Sequence, residues 1–203
     1  MSEILLYGAP LSGHSHRVEA LLCLLKLPYR MIETDAEKRK EPAFLALNPM
    51  GQIPAILDGD LCLADSTAIL VYLAKRYDPS GAWLPEDPVG AAAVQRWLSL
   101  ASGELKFGPA TARAMLRWNR PGDLEAAQAL GHRLLRFMEQ HLEKHQWLAA
   151  NHPPIADLAC YAYVARAPEG GVSLEPYAAV RRWLGEVEAI PELPPMPRLD
   201  KQA

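Results

Sequence analysis

Cysteine is scarce: the chain has three in 203 residues, Cys23, Cys62 and Cys160. They stand too far apart for a CxxC pair or a zinc-ligand spacing, and an odd count argues against a disulfide framework. The expectations are a reducing compartment and no metal. An excess of positive charge is also missing. Lysine and arginine total 21 against 24 acids, for a net charge of −3 and a pI near 6.1. A chain without clustered cations has little with which to neutralise phosphates, so a nucleic-acid partner is not expected. Long apolar runs are absent too, since charged or turn residues interrupt each one, and no membrane span is expected. The opening MSEILLYGAP carries an acid and reaches glycine and proline too early for a signal peptide. These absences together describe a cytoplasmic protein.

What is present describes a folded chain. Half the residues are apolar and 22% are charged, near the average for globular domains. The length allows one large domain or two small ones, and two grammars divide it. In the first half, Ile4 to Tyr7 is a short apolar run closed by Gly8 and Pro10, the form of a buried strand. Val18, Leu21, Leu22 and Leu25 then recur at helical spacing until Pro28, and Tyr29 to Ile32 reads as a second strand. A strand, helix and strand in that order predict a parallel pair. A short helix is expected near Pro42 to Leu47. Ile53 to Leu57 and Leu61 to Leu63 flank Asp58-Gly59-Asp60, a hairpin signal, and a helix follows from about Ser66. The order is βαβ-α-ββα.

DPSGAWLPEDP, with three prolines and a glycine, reads as a linker. Beyond it no strand pattern occurs. Val94, Trp97, Leu98, Ala101 and Leu105 have helical spacing, and so do Leu130, Leu134, Phe137 and Met138. Ile155, Leu158, Ala159 and Ala162 form a third such set, and Val180, Trp183, Leu184 and Val187 a fourth. The expected domains are residues 1–78, a linker at 79–87, and an all-helical domain at 88–203 whose proline-rich end is extended.

Three segments of the first half carry chemistry. Ser12-Gly13-His14-Ser15 follows the first strand and opens a helix, where free N–H groups and a partial positive charge stabilise anions. In a thioredoxin-like order of elements a redox CxxC would stand here. Hydroxyls replace the thiols, so the loop cannot exchange disulfides, yet a serine can donate a hydrogen bond to a thiolate carried by a ligand. The other reading is that Ser12 and Ser15 are helix caps. In Asn48-Pro49-Met50-Gly51-Gln52-Ile53-Pro54, a cis bond before Pro54 would turn the Ile53 peptide groups outward to pair with a peptide ligand; otherwise this is an ordinary loop. Asp65-Ser66-Thr67 starts a helix. Ser66 can hold a carboxylate and Asp65 an ammonium, or the segment is simply a cap.

Joined, these segments resemble those of the cytosolic glutathione transferases, and in particular bacterial members with a serine-type active-site loop. The likeness covers nearly the whole chain. It implies an N-terminal thioredoxin-like domain, a C-terminal helical bundle with the electrophile site, and a cytoplasmic homodimer concerned with detoxification. Glutathione would be the co-substrate, and a small hydrophobic electrophile its partner. By position, Ser12 would activate the thiol, with Ser15 as runner-up. Ile53 would pair with the cysteinyl unit of glutathione. Gln52, Asp65 and Ser66 would hold the γ-glutamyl end, and Lys40 with Arg39 the glycyl carboxylate. Pro54 would be cis.

Ile155-Ala156-Asp157 is similar to the family's buried capping segment. Pro154 stands where serine or threonine is usual, so Asp157 is expected to be structural and to accept bonds from the helix start. The electrophile candidates are Phe107, Arg113, Trp118 and the loop from Ala167 to Gly171, with core packing as the other reading for the two aromatics. The expected function is conjugation of the glutathione thiolate to a hydrophobic electrophile. A glutathione-dependent peroxidase or reductase, and a non-catalytic regulatory or assembly module of the same fold, are the alternatives.

Overall fold

The computed structural model describes residues 3–199, and the chain separates into two compact units. The first holds the residues up to Gly81 together with Pro191–Pro197. That proline-rich segment, which the sequence placed at the end of the helical half, therefore belongs with the first unit.

The first unit is a thioredoxin-like mixed sheet with helices. Strand β1 (Ile4–Gly8) alternates buried and half-buried side chains, and α1 (Gly13–Leu24) buries Val18, Leu21 and Leu22. The helix stops where Lys26 adopts φ 54°, two residues before Pro28. Strand β2 (Tyr29–Glu33) runs parallel to β1, pairing Ile4 with Tyr29 and Gly8 with Glu33. Helix α2 (Pro42–Leu47) follows a 3₁₀ turn at Lys38–Lys40. Strands β3 (Ala55–Asp58) and β4 (Leu61–Ala64) close the hairpin on the tight turn at Gly59, whose φ of 59° suits glycine. The hairpin begins at Ala55 because Pro54 has no N–H to give the ladder. The sheet order is β2-β1-β3-β4, with β3 antiparallel to both neighbours. Helix α3 (Ser66–Tyr77) packs on α1. It is tied to the hairpin by Tyr72 and Tyr77, whose hydroxyls both donate to Asp58.

The second unit is helical, with no strand among its described residues. Helix α4 (Pro88–Ser102) starts with Asp87 accepting from the Val89 and Gly90 amides, and Pro88 sits where its missing N–H is not needed. A π-helical turn at Lys106–Ala110 leads into α5 (Thr111–Trp118), then α6 (Leu124–Leu142), α7 (Ile155–Ala165) and α8 (Ala178–Glu188). Every α7 side chain from Ile155 to Val164 is buried, which makes α7 the central helix. The core reading of Phe107 and Trp118 does not hold, because they are 59% and 47% exposed.

A Cβ placed on Gly108 of the π-helical turn would lie 2.8 Å from the Gly131 amide nitrogen of α6. Backbone rather than a flexible side chain blocks the space. Gly108→Ala is therefore expected to cost about 1–3 kcal/mol through overpacking, read as a lower urea midpoint with an unchanged slope.

Asp157 lies on the first turn of α7 and is fully buried. Its carboxylate reaches beyond its own helix start. It accepts from Trp183 Nε1 at 2.6 Å and from the Leu148 amide at 3.2 Å, and so ties α8 and the segment before α7 to the central helix. Pro154, at the N-cap, returns no side-chain bond.

Candidate functional site

Strand register brings the three singled-out segments of the first unit to one end of the sheet. The C-terminal end of β1 pairs Tyr7 with Ala55, the first residue of β3, and Ala55 pairs with Ala64, the last of β4. The loop after β1, the Ile53–Pro54 approach to β3 and the Asp65–Ser66 start of α3 therefore leave the sheet from the same edge. β2 is parallel to β1 and ends there as well, which brings the Lys38–Lys40 turn to that end.

The two serines have different surroundings. Ser12 is the N-cap of α1 and half-buried; its Oγ accepts from the Ser15 amide at 3.2 Å. Its O–H hydrogen takes no acceptor among the described residues. Ser15 is fully buried, and its Oγ accepts from the Ala9 amide at 3.2 Å. A Cβ on Gly8 would lie 2.8 Å from that same Oγ, so glycine is required where β1 enters the loop. The loop closes through the Ser12 amide on the Ala9 carbonyl at 3.0 Å. Ser15 thus stitches the loop to the helix, while Ser12 presents a hydroxyl at the positive end of the α1 dipole.

The Ile53–Pro54 peptide bond is cis. Neither the amide nor the carbonyl of Ile53 has a hydrogen-bond partner among the described residues. Asn48, buried and outside the expected set of site residues, holds the loop from within. Its Nδ2 donates to the Gln52 carbonyl at 2.7 Å, and its Oδ1 accepts from the Met50 amide at 3.1 Å. An asparagine before proline is a common turn signal, so nothing in the sequence set it apart.

Asp65 caps α3 with φ 73°, a left-handed value that is uncommon for a residue with a Cβ and clusters at functional sites. Its Oδ1 accepts from the Thr67 amide at 2.9 Å, the Thr67 hydroxyl at 2.6 Å and the Ala68 amide at 3.0 Å. Burial pushes its carboxyl up, but the Thr67 and Ala68 bonds, with the Arg17 charge, hold it below the usual carboxylate range. Asp65 is thus an anion at neutral pH.

Ser66 is buried, with Oγ 3.2 Å from Arg17 Nη1 and 3.4 Å from His14 Nδ1. Arg17 joins the Ser12 helix to the Asp65–Ser66 turn and is itself fully buried. It escaped the sequence reading because a lone arginine on a helix ordinarily lies at the surface. Arg17→Ala is expected to leave Ser66 without its donor and Asp65 without a neighbouring cation. The predicted result is about a tenfold or greater loss of affinity for an anionic ligand at this turn, with a lower melting temperature. Calorimetry beside a thermal melt reads both.

Lys40 and Arg39 are less committed. Lys40 Nζ pairs with Glu37 at 2.8 Å on an exposed surface, and Arg39 Nε donates to the Asp35 carbonyl at 3.1 Å. Such an exposed pair is worth about 0–1 kcal/mol, so Glu37 gives Lys40 up easily. Among the described residues no group of three or more metal-ligating side chains occurs, and no helix is long and apolar enough to cross a membrane.

Comparison with known proteins shows what this chain is similar to. Residues 6–81 match the family model described as glutathione S-transferase, N-terminal domain. The chain is 33% identical to glutathione S-transferase 3 of Zea mays, over 94% of this chain and 91% of that protein. It is 31% identical to the disulfide-bond oxidoreductase YfcG of Escherichia coli, over 92% of this chain and 90% of that one. A crystal structure of glutathione S-transferase from Pseudomonas fluorescens superposes with a TM-score of 0.90 at 32% identity, covering 96% of this chain and 99% of that one.

Proposed function

The chain belongs to the glutathione S-transferase family, and from that premise we propose that it ionises the thiol of glutathione at Ser12 and conjugates it to a hydrophobic electrophile. The observation that carries this reading is the Ser12 hydroxyl, standing at the N-terminus of α1 with its hydrogen uncommitted. It shares one end of the sheet with the unpartnered Ile53 peptide groups and the Asp65–Ser66 turn.

The peptide backbone of glutathione adds to Ile53 as a short strand, its amide and carbonyl meeting the Ile53 carbonyl and amide. The γ-glutamyl ammonium meets Asp65, and its carboxylate meets the Ser66 hydroxyl and amide beside Arg17. Gln52 supports the same end. The glycyl carboxylate meets Lys40 and Arg39. These contacts place the sulfur at Ser12. A free thiol has a pKa near 8.5, and the Ser12 O–H bond with the helix dipole favours the anion. The thiol proton leaves to solvent. The thiolate then forms a sulfur–carbon bond as the leaving group departs from the electrophilic carbon with its electron pair. The protein contributes ionisation and positioning. The electrophile is assigned to the helical unit, with exposed Phe107 and Trp118 as the apolar surface and Arg113 and the loop from Ala167 to Gly171 near them in the same unit. A cytoplasmic homodimer that detoxifies electrophiles completes the proposal.

The test is titration of the purified protein with glutathione by calorimetry, followed by assay with a chlorinated aromatic electrophile. Micromolar to millimolar binding and conjugation are expected. A folded protein that gives no heat with glutathione would point to the non-catalytic alternative. The similarity to YfcG supports a second reading, a glutathione-dependent reductase or peroxidase. The Ser12–Ser15 loop holds no thiol, so any disulfide formed there joins two glutathiones and requires a peroxide or disulfide as oxidant. Turnover of cumene hydroperoxide without turnover of the aromatic electrophile would favour it.

A further inference from the structure

The segment Pro191–Pro197 comes after the last helix of the second unit, yet it belongs with the first. Two bonds tie it there, and a third residue of the segment is buried. The Pro194 carbonyl lies 2.8 Å from His16 Nε2; a carbonyl only accepts, so Nε2 carries the hydrogen. Glu192 pairs with Lys26 at 3.2 Å. Met196 is 2% exposed. Four prolines in seven residues restrict the segment before it docks, so little conformational entropy is lost on ordering it.

His16 lies one turn beyond the proposed thiol-activating serine. It is buried, and its amide donates to the Ser12 carbonyl at 2.9 Å. Its side chain thus meets the tail, and its backbone the residue whose hydroxyl faces the sulfur. Lys26, two residues past the end of α1, receives the second tie. The tail is bonded at the first turn of the helix that carries Ser12 and, through an exposed pair, just past its other end.

We infer that Pro191–Pro197 is a strap that fixes the first turn of α1, and that His16 is a positioning residue for Ser12. This rests on the assignment of Ser12 above. The His16–Pro194 bond holds the Ser12 carbonyl and hydroxyl at a set angle to the helix axis. Without it the first turn frays, as helix ends do when a tertiary contact is lost. The thiol then loses part of the stabilisation of its anion.

Three variants of the full chain test this: His16→Ala, His16→Gln and Met196→Ser. Glutamine keeps a side-chain N–H of similar reach, and serine replaces the buried Met196 side chain while leaving the sequence of α1 unchanged. With glutathione saturating, His16→Ala is expected to move the acidic limb of the kcat/KM profile for the electrophile up by about one unit. That is about a tenfold loss near pH 6.5 and little loss well above the ordinary thiol pKa of about 8.5. His16→Gln should restore the limb, and Met196→Ser should move it as His16→Ala does. Amide exchange at Ser15 and His16 without ligand should quicken about tenfold in the alanine and serine variants.

A loss that is equal at every pH would show a purely structural role and overturn the inference. So would a limb unmoved in His16→Ala, or a glutamine variant that behaves like alanine. If wild-type protein binds no glutathione, the reading of Ser12 falls, and the exchange measurement alone decides the strap. If His16→Ala does not fold, Met196→Ser and His16→Gln carry the same comparison.

Discussion

Ser12→Ala is expected to lower conjugation at neutral pH by about 100-fold and to raise the pKa of bound glutathione by about one to two units. The Ser12 hydroxyl has two tasks that the variant separates. As a cap it accepts from the Ser15 amide, and losing that bond costs about 1 kcal/mol of stability. As a donor to the sulfur it is worth about 2.7 kcal/mol in the transition state if the rate falls 100-fold. Ser12→Thr keeps both functions and should stay within about tenfold of wild type. Ser15→Ala should show the opposite balance. It strips the half-buried Ala9 amide of its acceptor, at a cost of about 1 kcal/mol, while the thiol pKa changes little. Absorbance of the bound thiolate against pH, beside urea unfolding, reads both quantities. A thiol pKa that rises in Ser15→Ala and stays fixed in Ser12→Ala would reassign the role to Ser15.

Asp157 governs the second large effect. Burial pushes its carboxyl up to about 7, against the bonds from Trp183 and Leu148, which favour the anion. The folded state therefore holds a proton that the unfolded chain releases near pH 4. With the folded pKa above the unfolded one, the stabilisation is complete below about pH 4 and is lost as the pH rises through 7. The change across that window is on the order of 4 kcal/mol. Asp157→Asn should abolish this dependence. Its amide oxygen still accepts from Trp183, so the variant falls short of wild type most at acid pH and approaches it above pH 7. Asp157→Ala is harsher. It leaves the indole N–H of fully buried Trp183 and the Leu148 amide without an acceptor. The expected loss is about 3–5 kcal/mol at acid pH, much of the stability of an ordinary domain, and it narrows as the pH rises through 7. Urea unfolding followed by circular dichroism from pH 4 to 8 checks both variants. An Asp157→Asn profile parallel to that of wild type would show that the carboxyl is ionised throughout.

Local pattern and tertiary placement divided the labour unevenly. The strands and most helices were legible because apolar runs, periodicity and turn residues are local: Gly59 in its turn, Pro42 at a helix start, the apolar run of β1. The three site segments were legible for the same reason, each being a cap or loop with its own chemistry. The sequence could not distinguish Ser12 from Ser15, since both are serines near a helix start. Burial and the Ala9 amide separate them. Nor could it show Arg17 or His16, whose roles depend on partners 49 and 178 residues away, while Asn48 has local partners but stands in a common turn signal.

By itself, then, the sequence determined the order of elements, the exclusion of dithiol chemistry from the Ser12–Ser15 loop, and the family. These depend on residue type and spacing along one chain. Only the tertiary structure decided which serine offers its hydroxyl, which cation lies behind Ser66, that Phe107 and Trp118 face outward, and that the proline tail returns to α1. Those outcomes follow from burial and from hydrogen bonds between distant segments, and no local pattern specifies which distant segment will arrive.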